Sequence, residues 1–190
     1  MDTERNIEFL EILKERLTEQ RLYHSICVAE KAKHLAEMFG GDPEKAYTAG
    51  LVHDIMRYEP ADKMLELIES DGQILSESER NITVTLHAIA GEVYLRRKLN
   101  VTDEEILSAV RWHTTGKENM SLLEKIIYVA DLTSVDREYP DVKEVRLMAE
   151  ESLEKTCIRG LSFTIEDNAR KHKPIHLDTV KAFNYLAERI

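Results

Sequence analysis

The sequence predicts an all-α protein, and three features carry that expectation. Glycine (7) and proline (4) are scarce among 190 residues, so little interrupts regular backbone. Apolar residues recur at three- and four-residue intervals along most of the chain. The breaks between these patterns are short and hold helix-start and helix-stop chemistry. The length suits one domain with a sizeable core, and no repeat, low-complexity tract or dividing linker is present.

Taken in order, a first helix covers about 4–18, with Ile7, Leu10, Leu13 and Leu17 on one face. A second covers about 21–39 and stops at Gly40-Gly41. Asp42 as N-cap and Pro43 at the first helical position open a third, to about Ile55. A shorter helix at about 60–70 is broken by Asp71-Gly72, and a longer one covers about 79–98. Thr102 with Glu105, and Ser121 with Glu124, match the capping-box spacing. They open one helix ending near His113 and another carrying Asp131. The stretch 133–140 is a loop. Helices at about 141–158, 162–171 and 177–189 finish the chain and read as packing elements.

A net charge of -10 argues against a nucleic-acid polymer as partner, since that binding needs a basic surface. It leaves room for a small anion in a pocket made locally positive by metals and arginines. The opening MDTERNIEFLEIL carries charges among its apolar residues and does not read as a signal peptide. No apolar run approaches the roughly 20 residues of a membrane span. Cys27 and Cys157 lie in helical patterns without metal-ligand spacing, as core thiols of a cytoplasmic protein would. The charged amphipathic faces leave a homodimer open.

The informative set is His24, the adjacent His53-Asp54, His87, His113 and Asp131. Each shares a helical face with small or apolar residues. His113 follows Ile106, Ala109 and Val110. Asp131 follows Ile127 inside IIYVAD. His24 joins Cys27 and Val28, His87 joins Val84, Ala90 and Gly91, and His53 joins Ala46, Ala49 and Gly50. An ionisable group aimed at a core needs a partner. One histidine on an apolar face is most often a satisfied core residue, but the joint occurrence points to a metal centre. Mixed imidazole and carboxylate without thiolate suits iron, manganese, zinc, cobalt or nickel. Six ligands exceed what one catalytic ion with an open position uses, so two ions are expected, with Asp54 as bridge. Two such ions clamp a phosphoryl displacement and generate hydroxide at neutral pH.

The order His, His-Asp, Asp on helices resembles the HD-domain superfamily of metal-dependent phosphohydrolases. The stretches RLYHSICVAEKAKHLAEMFG, DPEKAYTAGLVHDIMRY, HAIAGEVYLRRKL, VRWHTTGKENMSLLEKIIYVADL and DREYPDV are similar to the YqeK family along nearly the whole chain. The resemblance implies a single HD-domain helical bundle that hydrolyses diadenosine tetraphosphate symmetrically to two ADP, with a di-iron-type centre. It implies His24, His53, Asp54, His87, His113 and Asp131 as metal ligands, and Asp54 and Arg57 in catalysis. Arg21 and Arg57 lie one helical turn from His24 and His53, and Thr114 and Thr115 follow His113. With Arg137 and Arg170 these are the candidate substrate contacts. After VAD the family has a Tyr-Ile-Glu-Pro-like segment, where this chain has LTSVDREYPDV. The alternatives are an HD-type phosphatase of mononucleotides, which would not need His87 and His113, and a non-catalytic nucleotide-binding HD module.

Overall fold

The computed structural model describes residues 3–190, so Met1 and Asp2 of the opening stretch lie outside it. Eleven helices are present among the described residues, with no strand. They are α1 (Thr3–Arg16), α2 (Glu19–Phe39), α3 (Pro43–Val52), α4 (Ala61–Ser70), α5 (Glu77–Asn81), α6 (Leu86–Lys98), α7 (Glu104–Trp112), α8 (Leu122–Thr133), α9 (Val142–Glu151), α10 (Leu153–Arg170) and α11 (Leu177–Ala187). No described helix is long and apolar enough to cross a membrane.

The helix starts follow their chemistry. Asp42 accepts from the backbone N–H of Glu44 and Lys45 at 3.0 and 3.1 Å, with Pro43 at the first helical position. Ser121 and Glu124 form the reciprocal capping box that opens α8. Gly40 ends α2 in the left-handed region at φ 73°, where a side chain would be strained.

α8 is the central element. It packs against α2, α3, α7, α9 and α10, and Ile126, Ile127, Val129 and Ala130 are buried along it. α2 and α3 form a tight antiparallel hairpin. A Cβ at Gly50 would lie 2.8 Å from the Ala29 Cα, so glycine there permits backbone-to-backbone contact. α6 joins α7 and α4, while α10 lies against α8, α9 and α11. Cys27 and Cys157 are buried free thiols.

Four boundaries differ from those expected. The third helix stops at Val52, and His53–Tyr58 form successive tight turns closed by i to i+3 bonds such as Arg57 N–H to Asp54 O, 2.8 Å. The pattern at 79–98 is divided: α5 ends at Asn81, a short 3-10 turn covers Thr83–Thr85, and α6 follows. Asp103, not Thr102, caps α7, accepting from Glu105 and Ile106 N–H. The break expected near 159–161 falls at Ser152, which caps α10. Gly160 lies inside α10, where a Cβ would meet Leu132 at 3.0 Å and Tyr128 at 3.1 Å, so it permits close helix packing and ends nothing.

Candidate metal centre

The fold brings one end of several helices together. His53 and His113 are the C-caps of α3 and α7, His87 opens α6, His24 sits early in α2, and Asp131 lies near the end of α8. All four histidines are buried, Asp54 is 2% exposed, and Asp131 is half-buried.

The local backbone orients each imidazole. The last carbonyls of a helix lack intrahelical donors, and two histidines use them. His53 Nδ1 donates to Gly50 O at 2.6 Å, and His113 Nδ1 to Val110 O at 2.7 Å. His87 Nδ1 donates in the same way to Val84 O at 2.9 Å. His24 Nδ1 is held by the Asp136 carboxylate at 2.7 Å. With every Nδ1 engaged outward, all four Nε2 atoms face inward, the arrangement metal-binding histidines use.

The inward atoms converge. His24 Nε2 lies 3.0 Å from Asp131 Oδ1, and His53 Nε2 lies 3.2 Å from Asp54 Oδ2. On the other side of Asp54, Oδ1 is 3.1 Å from His87 Nε2 and 3.8 Å from His113 Nε2. His24, His53 and Asp131 form one group whose ligand atoms all lie within 4.8 Å, and His53, Asp54 and His113 form another. Despite this proximity, His53 Nε2 and Asp54 Oδ1 have no hydrogen-bond partner among the described residues. They aim at shared space rather than at each other.

The His87 and His113 pair makes the same point. Their Nε2 atoms are 3.1 Å apart, and both rings have committed the Nδ1 proton to a carbonyl. In neutral rings the two Nε2 atoms present lone pairs, reached by Thr114 Oγ1 at 3.0 Å and Arg57 at 3.2 Å, and a cation between them would relieve their repulsion. Burial, reinforced by the neighbouring His53 and His87, pushes the His113 pKa down to about 3, so a proton is a poor candidate for that cation. The donor set therefore fits divalent transition metal.

Both carboxyls, those of Asp54 and Asp131, are shifted toward the ionised form. Burial opposes the charge on Asp54, but His53 and His87 outweigh it and hold the carboxyl well below the usual range. Burial likewise opposes Asp131, and the His24 bond and the Arg137 guanidinium prevail. His53 is displaced the other way. Burial would lower its pKa, and the neighbouring Asp54 and Asp131 raise it.

The expected phosphate-binding residues divide. Arg21 donates to Asp54 Oδ2 at 2.9 Å, and Arg137 pairs with the Asp131 carboxylate and donates to its backbone carbonyl at 2.7 Å. Arg57 is exposed and reaches His87 Nε2 at 3.2 Å. Its side chain is placed by the turns after α3, so the helical spacing that related it to His53 does not hold. Thr114 Oγ1 lies 3.0 Å from His113 Nε2. Thr115 is turned away, its hydroxyl donating to Gly116 O at 2.9 Å. Arg170 is exposed at the end of α10 and lines neither cavity described below.

A cavity of about 420 Å³ opens from the centre. His113, Thr114, Asp131 and Arg137 line its inner end, and Tyr128, Leu132, Tyr139, Phe163 and Arg159 line its body. The C-terminal helices thus do more than pack, because α10 forms one wall. Asp136 and the aromatic wall were not singled out from the sequence. Asp136 stands in the divergent LTSVDREYPDV segment, where an acid five residues past Asp131 was the available signal.

The HD domain family model matches residues 21–136, which include all six converging residues. The chain belongs to the HD-domain family. Across that family the His/Asp set is associated with divalent metal. A "bis(5'-nucleosyl)-tetraphosphatase, symmetrical" of Halalkalibacterium halodurans is 39% identical over 93% of this chain and 94% of its own. A protein of the same description from Bacillus subtilis is 37% identical over 94% and 96%. The crystal structure of an HD-superfamily hydrolase from Clostridium acetobutylicum matches with a TM-score of 0.95 at 37% identity, covering 97% of each chain. The likeness to YqeK-type HD hydrolases read from the HTTG and IIYVAD segments is borne out along the whole domain.

Proposed function

We propose that this HD-family chain is a symmetrical dinucleoside tetraphosphatase, which cuts diadenosine tetraphosphate between its second and third phosphates and releases two ADP. The observation that carries this reading is the division of the ligand set about Asp54, beside a cavity with an aromatic wall. The relatives similar along nearly the whole chain, which bear that activity in their names, support it.

Two divalent ions would be held here, with iron the preferred choice and manganese, zinc, cobalt and nickel compatible with the same donors. His24, His53, Asp131 and Asp54 Oδ2 would hold one, and His87, His113 and Asp54 Oδ1 the other. When bound, the ions supply positive charge to phosphoryl oxygens and acidify water. The chain's own residues provide the rest. The carbonyls of Gly50, Val84 and Val110 fix the imidazoles before ligand arrives, so little reorganisation accompanies the reaction. Arg57 and Thr114 present donors at the mouth of the site to phosphoryl oxygens. Tyr128, Tyr139 and Phe163 offer surface against which a base stacks. Water is the nucleophile, so no covalent enzyme intermediate is needed, and ADP departs opposite it. The cytosol, where nucleotides and reduced thiols coexist, is the compartment this reading assigns.

The test is product analysis on anaerobically purified protein reloaded with iron or manganese. ADP as the sole product, with about two metals per chain, is the expected outcome. ATP with AMP would refute the symmetrical cut. Free phosphate from mononucleotides, with diadenosine tetraphosphate untouched, would replace this function by the phosphatase reading.

A further inference from the structure

A second cavity, of about 340 Å³, lies beside the first. Thr114 and Thr164 line both, and Thr114 Oγ1 is 3.0 Å from His113 Nε2 and 3.5 Å from His87 Nε2. The two cavities therefore flank one point, and that point abuts the metal centre. Each is of the size of small-molecule sites, which begin at about 300 Å³.

The chemistry of the two differs. The first has the aromatic wall. The second is polar, lined by Asn81, Thr85, Asn168, Lys173, His176 and Thr179. His176 is the unusual member. It is 6% exposed and caps the eleven-residue α11, its Nδ1 accepting from Asp178 N–H at 3.2 Å. An accepting Nδ1 leaves the ring proton on Nε2. Burial pushes the pKa of this imidazole down, so the ring is neutral and Nε2–H remains a donor. That donor has no hydrogen-bond partner among the described residues. A buried donor without an acceptor, on a residue lining a polar cavity, points to an acceptor-bearing ligand.

Glu79, His176 and Asp178 also place ligand atoms within 4.8 Å of one another. An ion there would need a free lone pair on the imidazole, and the one on Nδ1 caps α11. The hydrogen bonds therefore favour a neutral ligand group that accepts from Nε2–H.

We infer that the second cavity receives one nucleoside half of the dinucleotide, that His176 Nε2 donates to an acceptor on that half, and that the other half lies against the aromatic wall of the first cavity. The inference rests on the substrate reading given above. A symmetrical ligand would thus sit in two unlike half-sites, with its phosphate bridge passing Thr114 at the metal centre. ADP alone would take the aromatic half-site.

Two variants of the full-length, metal-loaded enzyme test this. His176→Asn keeps a residue type favoured at the N-cap and withdraws the ring donor. Asn168→Phe fills the cavity from α10 and leaves His176 intact. Each is expected to raise KM for diadenosine tetraphosphate by roughly tenfold, the scale of one lost buried hydrogen bond. The inhibition constant for ADP should stay within about twofold on the same reasoning. If the parent enzyme releases ADP and neither variant changes KM, the second cavity is not a half-site, while the proposed function stands. A parent enzyme that leaves diadenosine tetraphosphate uncut sinks both. Loss of metal on His176→Asn would assign the Glu79, His176 and Asp178 cluster to an ion and overturn the inference by itself.

Discussion

The two halves of the centre, on either side of Asp54, are built on different electrostatic plans. The half formed by His24, His53 and Asp131 is rich in countercharge, with Arg21 on Asp54, Arg137 on Asp131 and Asp136 behind His24. Its charges are largely paired within the protein. The half formed by His87 and His113 has two imidazole nitrogens 3.1 Å apart, with Asp54 Oδ1 and Arg57 beside them. Arg57 and the Thr114 hydroxyl are the donors that reach these nitrogens, and an added cation would relieve the approach more fully. The first half resembles an ion-pair network, whereas the second, with fewer countercharges, has more the character of a ligand set.

The widest break in this comparison is to remove what joins the halves. Asp54→Ala takes a carboxylate oxygen from each, so turnover should be abolished and metal content should fall, read by hydrolysis of diadenosine tetraphosphate and elemental analysis on one sample. Full metal with a normal rate would remove Asp54 from the bridge. His113→Ala should empty only the second half, leaving about one metal per chain and a rate down by at least about a hundredfold if charge at the transition state is the main term. Normal turnover in that variant would favour a one-metal phosphatase, for which His87 and His113 are dispensable.

Much of this arrangement was legible in the sequence, for a local reason. Caps at Asp42 and Ser121 are short-range chemistry, and they fixed where α3 and α8 begin. The apolar phase of His24, His113 and Asp131 foretold convergence, because only a shared interior faces all those stripes. What escaped was tertiary. The break expected between 158 and 162 is crossed by α10, where Gly160 lets Leu132 and Tyr128 pack closely. The division at Ile82 carries no glycine or proline to announce it. Arg57 was placed by helical spacing, but tight turns replace the helix after Val52. Asp136 belongs to the centre only because a loop folds back onto α2, which no periodicity records.

The remaining tests sharpen the contrast. Asp136→Asn removes the charge behind His24 and should weaken metal binding by about tenfold or more, in the first half alone. Equal loss from both halves would mean that the halves are not separable. The pH dependence of loading should differ as well. The acids beside His53 raise its pKa above the ordinary 6.5, so a proton competes with metal there. His113, pushed down to about 3, is already neutral. Affinity of the first half should therefore rise with pH through and above 6.5, by at most about tenfold per pH unit, while His113 adds no slope near neutrality. Titration of the metal-free protein with manganese across that range should show binding to the first half tightening as pH rises. A first-half affinity that is flat with pH would contradict the acid-raised His53.

The smallest effect is expected from Arg57, and its position explains why. It is exposed and touches the less charged half of the centre through His87 rather than through an acid. Its loss should leave both ions in place. A guanidinium that meets a phosphoryl oxygen in water is worth about 1.5 kcal/mol, or roughly tenfold in rate. Arg57→Ala should thus slow hydrolysis about tenfold at unchanged metal content, and Arg57→Lys should recover part of the loss, since charge returns without the fork. A fall in metal content would instead make Arg57 a support for His87. Unchanged kinetics would remove it from the site, leaving phosphate charge to the ions and to arginines already paired with Asp54 and Asp131.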